Sequence, residues 1–122
     1  GVGNEMLALV DKRQIERRLR KEHLIVGDAE LFAETLRMYV RDRFDDELQK
    51  LFEEKNWTDY QRVAHSVKSS SNMIGATDIF EKARNIEQSV KAGNTGYAEE
   101  NHDAFMKDYR EFLDKLKSTL EL

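Results

Sequence analysis

His65 and Lys68 are the residues of this chain whose types and spacing best suit chemistry. A neutral imidazole is a competent nucleophile near neutral pH, because a free one titrates at about 6.5. A lysine one helical turn away supplies an ammonium charge that can neutralise a phosphoryl group formed on the ring. On a helical wheel drawn at about 100° per residue, Tyr60, Val63, Ala64, Val67 and Ile74 make one apolar stripe, with small Ser71 near its centre. His65 falls about 150° from the middle of that stripe by the same arithmetic. It is therefore expected to face solvent from the middle of a core helix. Lys68, Ser69 and Asn72 follow on the same exposed side, and Met73 falls near Ser69 as a partly exposed contact. Ser71 faces inward, where a small side chain permits close helix approach and its hydroxyl can bond back to the Val67 carbonyl.

The elements that position these residues read as helices throughout. Asp11 opens an Asp-x-x-Gln cap for a first helix with Ile15 and Leu19 on its stripe, and Gly27 marks its end. Asp28 caps the next, whose inner face repeats through Phe32, Leu36, Tyr39 and Val40, then Phe44, Leu48, Leu51 and Phe52. Arg41-Asp42-Arg43 between those two sets is a place for a bend or a shift of the stripe. Asn56 caps the histidine helix, which is expected to run to about Gly75. The following helix opens near Thr77 or Asp78 with Ile79, Ala83, Ile86 and Val90 inward, and Gly93-Asn94 ends it. Thr95 then caps a last helix with Phe105, Tyr109, Phe112, Leu116 and Leu120 on its stripe. Ser69-Ser70-Ser71 is not a linker, because the apolar period continues through it from Val67 to Ile74. Short connections between long helices predict an all-α, antiparallel up-down four-helix bundle with an additional N-terminal helix.

Composition agrees with one small helical domain. The 122 residues contain no proline, and 36% are charged against 39% hydrophobic, the balance of a narrow core under a solvated surface. The absence of cysteine excludes disulfides, thiolate metal sites and cysteine nucleophiles. A net charge of −4 with both signs interspersed argues against nucleic acid as a partner. No apolar run approaches the roughly 18 residues of a membrane span, so no membrane contact is expected. Residues 11–122 are taken as the domain, and residues 1–10, which begin Gly1-Val2-Gly3 without methionine, as a tag remnant or N-terminal extension.

The segment His65-Ser66-Val67-Lys68-Ser69-Ser70-Ser71-Asn72-Met73-Ile74-Gly75-Ala76 resembles the signature of histidine phosphotransfer domains, roughly His-x-Leu-Lys-Gly-Ser-Ser-x-x-Leu-Gly-Ala. His65 stands at the phosphorylated histidine, Lys68 at the lysine, Ser70 and Ser71 at the small pair, and Gly75-Ala76 at the closing pair. Gly27 to Phe32, Glu53 to Trp57 and Ala83 to Glu87 resemble the neighbouring family segments, with Glu87 where a polar side chain often lies near the histidine. Ser69 departs from the pattern, which has glycine after the lysine. The resemblance implies a phosphoryl carrier without kinase activity of its own, relaying the group between aspartates of receiver domains. Those receivers would belong to response regulators or to a hybrid sensor histidine kinase. It further implies no cofactor in this domain, with magnesium held by the partner receiver. A monomer in the cytoplasm, free-standing or the end of a membrane-bound sensor kinase, is expected. His65 and Lys68 would carry the transfer, and Ser69, Asn72, Met73 and Glu87 would surround the histidine or dock the receiver.

Two other readings compete. A bundle of the same fold with an idle surface histidine would be a non-catalytic interaction module. A carboxylate-bridged metal enzyme would need paired Glu-x-x-His motifs, and Glu99 with His102 is a single copy.

Overall fold

A computed structural model describes the backbone of residues 29–120 and the side chains of residues 33–120. The expected N-terminal helix, its Asp11 cap, the Asp28 cap and the Phe32 side chain lie outside the described residues. Among the described residues five helices follow one another: α1 (Ala29–Arg41), α2 (Asp45–Glu53), α3 (Trp57–Met73), α4 (Thr77–Lys91) and α5 (Thr95–Thr119). The described residues contain no strand. α3 packs most extensively on α4, α4 on α5, and α2 on α3, while α1 and α2 both reach α5.

The Arg41-Asp42-Arg43 segment ends one helix rather than bending it. Arg43 turns forward and grips the buried Asp45 carboxylate with two bonds, Nε to Oδ1 at 2.8 Å and Nη2 to Oδ2 at 3.0 Å. Arg110 of α5 donates Nε to the same carboxylate at 3.0 Å. Burial alone would raise the pKa of Asp45, but the bonds from Arg43 and Arg110 outweigh it and hold the carboxyl below its usual range. The Phe44 amide at the start of α2 donates to the Tyr109 hydroxyl at 3.1 Å, so α5 supplies the cap that the sequence of α2 lacks.

Helix ends follow one rule at three places. After α2, α3 and α4 a residue with positive φ (Lys55 at 54°, Gly75 at 74°, Gly93 at 85°) turns the chain. The paired reverse bonds of a Schellman motif close each turn, for example Ala76 N to Ser71 O at 2.9 Å. The histidine helix thus ends at Met73 with Gly75 in the left-handed turn just beyond. At its other end the Asn56 side chain accepts from the Asp59 amide as expected, a contact worth about 1 kcal/mol. Two assignments shift. Asn94, not Thr95, caps α5, accepting from the Tyr97 amide at 3.2 Å, and Thr95 is already helical. On α5 Leu113 takes the core position, while Phe112 is half-buried and sets its ring edge-on to Tyr39 at 5.9 Å.

The core runs continuously from Leu36 and Leu48 through Tyr60, Val63, Val67 and Ile74 to Ile86, Phe105, Leu113 and Leu116. Ser71 is fully buried within it. Its hydroxyl bonds the Tyr39 hydroxyl at 2.8 Å, tying α3 to α1 instead of turning back to Val67. Ser70 makes the back-bonds instead, to the carbonyls of Ser66 and Val67.

Candidate functional site

The buried face of α3 consists of Tyr60, Val63, Ala64, Val67 and Ser71, the stripe drawn from the sequence. Packing that face against the bundle fixes α3 in rotation. His65 consequently stands on the outer side with its side chain 60% exposed. The next helix comes close enough to reach it. Glu87 of α4 is 8% exposed and directs its two carboxylate oxygens at two groups of α3. Oε2 lies 2.5 Å from His65 Nδ1, and Oε1 accepts from Lys68 Nζ at 2.7 Å.

This arrangement has direct chemical content. A carboxylate only accepts hydrogen bonds, so the ring nitrogen facing it carries the proton. In the neutral ring Nδ1 is thereby the protonated nitrogen, and the lone pair is on Nε2. The ring is oriented by a buried carboxylate, which is itself held by an ammonium group that is mostly covered. Charge-assisted bonds of this kind are the shorter and stronger ones in proteins.

The other expected residues divide around this triad. Ser69 is exposed, one turn beyond His65, and Met73 is half-buried against the core. Both open onto a cavity of about 400 Å³ between α3 and the α1–α2 segment, with Met38, Tyr39 and Phe44 supplying the apolar wall and Ser66 and Ser70 part of the hydroxyl rim. Asn72 is exposed on the outer side of α3 and does not line that cavity. The structure therefore brings His65, Lys68 and Glu87 into contact and sets Ser69 and Met73 beside a neighbouring hollow.

His102 has a different character. It is fully buried, stacked on Phe52 at 3.7 Å between ring centroids, with Nδ1 2.9 Å from the Tyr60 hydroxyl and Nε2 2.8 Å from Gln49 Oε1. Gln49 donates its amide to Glu53, which fixes the amide orientation and makes His102 Nε2 the donor. Burial is the largest cause holding this ring's pKa down to about 4, with Arg110 assisting and Asp103 and Glu53 opposing. Sequence reasoning weighed His102 only as a metal ligand. Its place on α5, one turn before Phe105 and two before Tyr109, was the available signal for a core position. Glu99, its partner in the Glu-x-x-His spacing, instead pairs with Lys55 at 3.5 Å. Among the described residues no group of three or more His, Asp or Glu is placed to hold a metal ion. No helix among them is long and apolar enough to cross a membrane.

A rigid helical bundle that holds one imidazole outward, orients it from behind and leaves its far nitrogen open has the form of a carrier for a group delivered by another protein. The family model described as the Hpt domain matches residues 29–121, and the chain belongs to that family. Its members serve histidine phosphotransfer in two-component signalling and interact with receiver domains. No curated protein and no solved structure matches the chain.

Proposed function

We propose that the domain relays a phosphoryl group between receiver aspartates through a phosphohistidine at His65. The observation that carries this reading is the contact of Glu87 with both His65 and Lys68. In the reaction, His65 Nε2 attacks the phosphorus of a receiver aspartyl phosphate. The N–P bond forms, the P–O bond to the aspartate breaks, and the carboxylate leaves with the electron pair. The proton on Nδ1 stays against Glu87, so the imidazolium character of the phosphorylated ring develops beside a fixed negative charge. The proton that Glu87 keeps on Nδ1 lets the ring leave as neutral imidazole when the N–P bond breaks toward the next receiver. Magnesium belongs to the receiver, and the domain itself has no kinase activity. The antiparallel up-down arrangement, with α1 and α2 as one interrupted arm, belongs to this reading, as does a monomer in the cytoplasm.

The test is incubation with a phosphorylated receiver. Acid-labile label should pass to this domain, and a domain that takes up none would be the idle-histidine module instead.

Lys68 assists without accepting. It keeps the buried Glu87 carboxylate in place and adds a positive charge beside the incoming phosphoryl. A charge-assisted contact contributes roughly 1.5–3 kcal/mol, and partial exposure of Lys68 brings this toward the lower end. Lys68→Ala should slow transfer about tenfold while helix content by circular dichroism stays the same. An unchanged rate would make it a structural partner of Glu87 only.

Ser69 is a narrowing of the histidine face. Its exposed hydroxymethyl group stands one turn from His65 at the cavity rim, where the family pattern has glycine. Ser69→Gly should raise transfer to non-native receivers by removing a steric element. The replacement should cost roughly 0.5 kcal/mol of stability, because glycine is the poorer helix former. Rates measured against several receivers beside thermal melts decide it. A melting change with no rate change for any receiver would leave Ser69 neutral.

A further inference from the structure

Among the described residues Met38 is the one large hydrophobic side chain left exposed, at 45%. It sits on α1 at the mouth of the cavity that Ser66 and Ser69 of the histidine helix also line. Met73 lines the same cavity and is half-buried, while Met106 is 3% exposed in the core. The described methionines thus form a graded series of access, and the most accessible one borders the face that presents His65.

We propose that Met38 is a reversible oxidation site through which a hydroperoxide weakens receiver docking at the histidine face. The inference rests on the phosphotransfer reading, in which a receiver must cover His65 and with it the adjoining cavity mouth. The Met38 sulfur lone pair attacks one peroxide oxygen. The S–O bond forms as the O–O bond breaks, sulfur is oxidised by two electrons, and the peroxide is reduced to water or an alcohol. The product is a methionine sulfoxide, a polar and chiral group in place of a flexible apolar one. At the wall of Met38, Tyr39 and Phe44, an apolar side chain of a covering partner would strip water from that S–O dipole and offer it no donor. A reductase that returns the sulfoxide to the thioether restores the original contact.

The experiment treats the phosphorylatable domain with hydrogen peroxide and maps the added oxygen by peptide mass spectrometry. Transfer from a phosphorylated receiver is then timed, each protein being compared with its own untreated sample. Oxygen should appear on Met38 before Met73, and Met106 should stay unmodified. Transfer should slow about tenfold, as expected when a polar group is left unpaired at a contact, and recover after reduction by methionine sulfoxide reductase. In Met38→Leu the ratio of treated to untreated rates should stay near one. Oxidation of Met38 with no loss of rate would overturn the proposal, as would an equal loss in Met38→Leu, which would place the damage elsewhere. Untreated Met38→Gln separates the underlying reading from this one. If that variant transfers slowly while oxidised wild type does not, only the oxidation inference falls. If it transfers as well as wild type, the receiver does not cover this mouth, and both the docking face and the inference fall.

Discussion

Replacing His65 with glutamine should abolish transfer of acid-labile phosphate onto the domain and leave the fold as it was. The glutamine amide is of similar reach, so it still offers a donor to Glu87 and spares that buried carboxylate an unpaired state. It has no nucleophilic nitrogen, so the N–P bond cannot form. The loss should be complete within detection, well beyond the tenfold expected for Lys68→Ala. In the wild type the label should sit on Nε2, because Nδ1 is occupied by Glu87 at 2.5 Å. Nitrogen–phosphorus coupling in the NMR spectrum of the phosphorylated domain reads this directly. Full label on His65→Gln would remove His65 as the acceptor. Label on Nδ1 would leave the acceptor in place but refute the orienting role of Glu87.

Acidification should destabilise the bundle in two separate windows. His102 is held neutral by burial, with its pKa lowered from 6.5 to about 4. As pH falls through 6.5 the unfolded chain takes up a proton there that the folded chain refuses. The stability contributed by the neutral ring is therefore lost progressively between about 6.5 and about 4, on the order of 3 kcal/mol in all. Protonation also breaks its bonding pattern. Both ring nitrogens would then donate, and the buried Tyr60 hydroxyl would lose its acceptor at Nδ1. The second window belongs to Asp45. Its carboxyl is lowered from 3.8, so its contribution is present above that value and is lost as pH falls below it. Urea titrations at a series of pH values should show the first loss in wild type and not in His102→Gln. An NMR titration of the His102 ring in the folded protein provides an independent reading. A ring that titrates near 6.5, or a variant that loses stability as steeply over the same range, would show that burial does not hold this proton off.

What could be read from the sequence was what depends on near neighbours. The outward position of His65 follows from the period of Tyr60, Val63, Ala64, Val67 and Ser71, and one helix's worth of residues settles it. The Asn56 cap and the turn at Gly75 are likewise local, fixed within a few residues. The shift of the α5 cap from Thr95 to Asn94 is a competition between adjacent capping residues, which pattern alone resolves poorly. Contacts across long separations were out of reach. The Arg110 contact to Asp45 spans 65 residues, and the bond between Tyr39 and Ser71 spans 32. Their partners are chosen by the packing of whole helices, so Ser71 was assigned a local back-bond and the Arg41-Asp42-Arg43 segment an undecided bend. His102 was missed for another reason. A histidine counts as polar on a wheel, and its satisfaction by Tyr60 and Gln49 exists only once three helices meet. Glu87 was placed by resemblance to a family pattern, and its simultaneous hold on His65 and Lys68 emerges only in three dimensions.

The triad of His65, Lys68 and Glu87 lies entirely within α3, α4 and the three residues between them. The chemistry-bearing part of the molecule therefore closes a loop of little more than twenty residues, since His65 and Glu87 are 22 positions apart. Closing so short a loop costs little chain entropy, and its cost grows only slowly with length. Helical proteins dominated by such near-sequence contacts fold on the microsecond to millisecond scale. The triad is thus assembled by the part of the chain with the least distance to travel during folding. It does not have to wait for α1 to find α5, the pairing between elements farthest apart in the sequence.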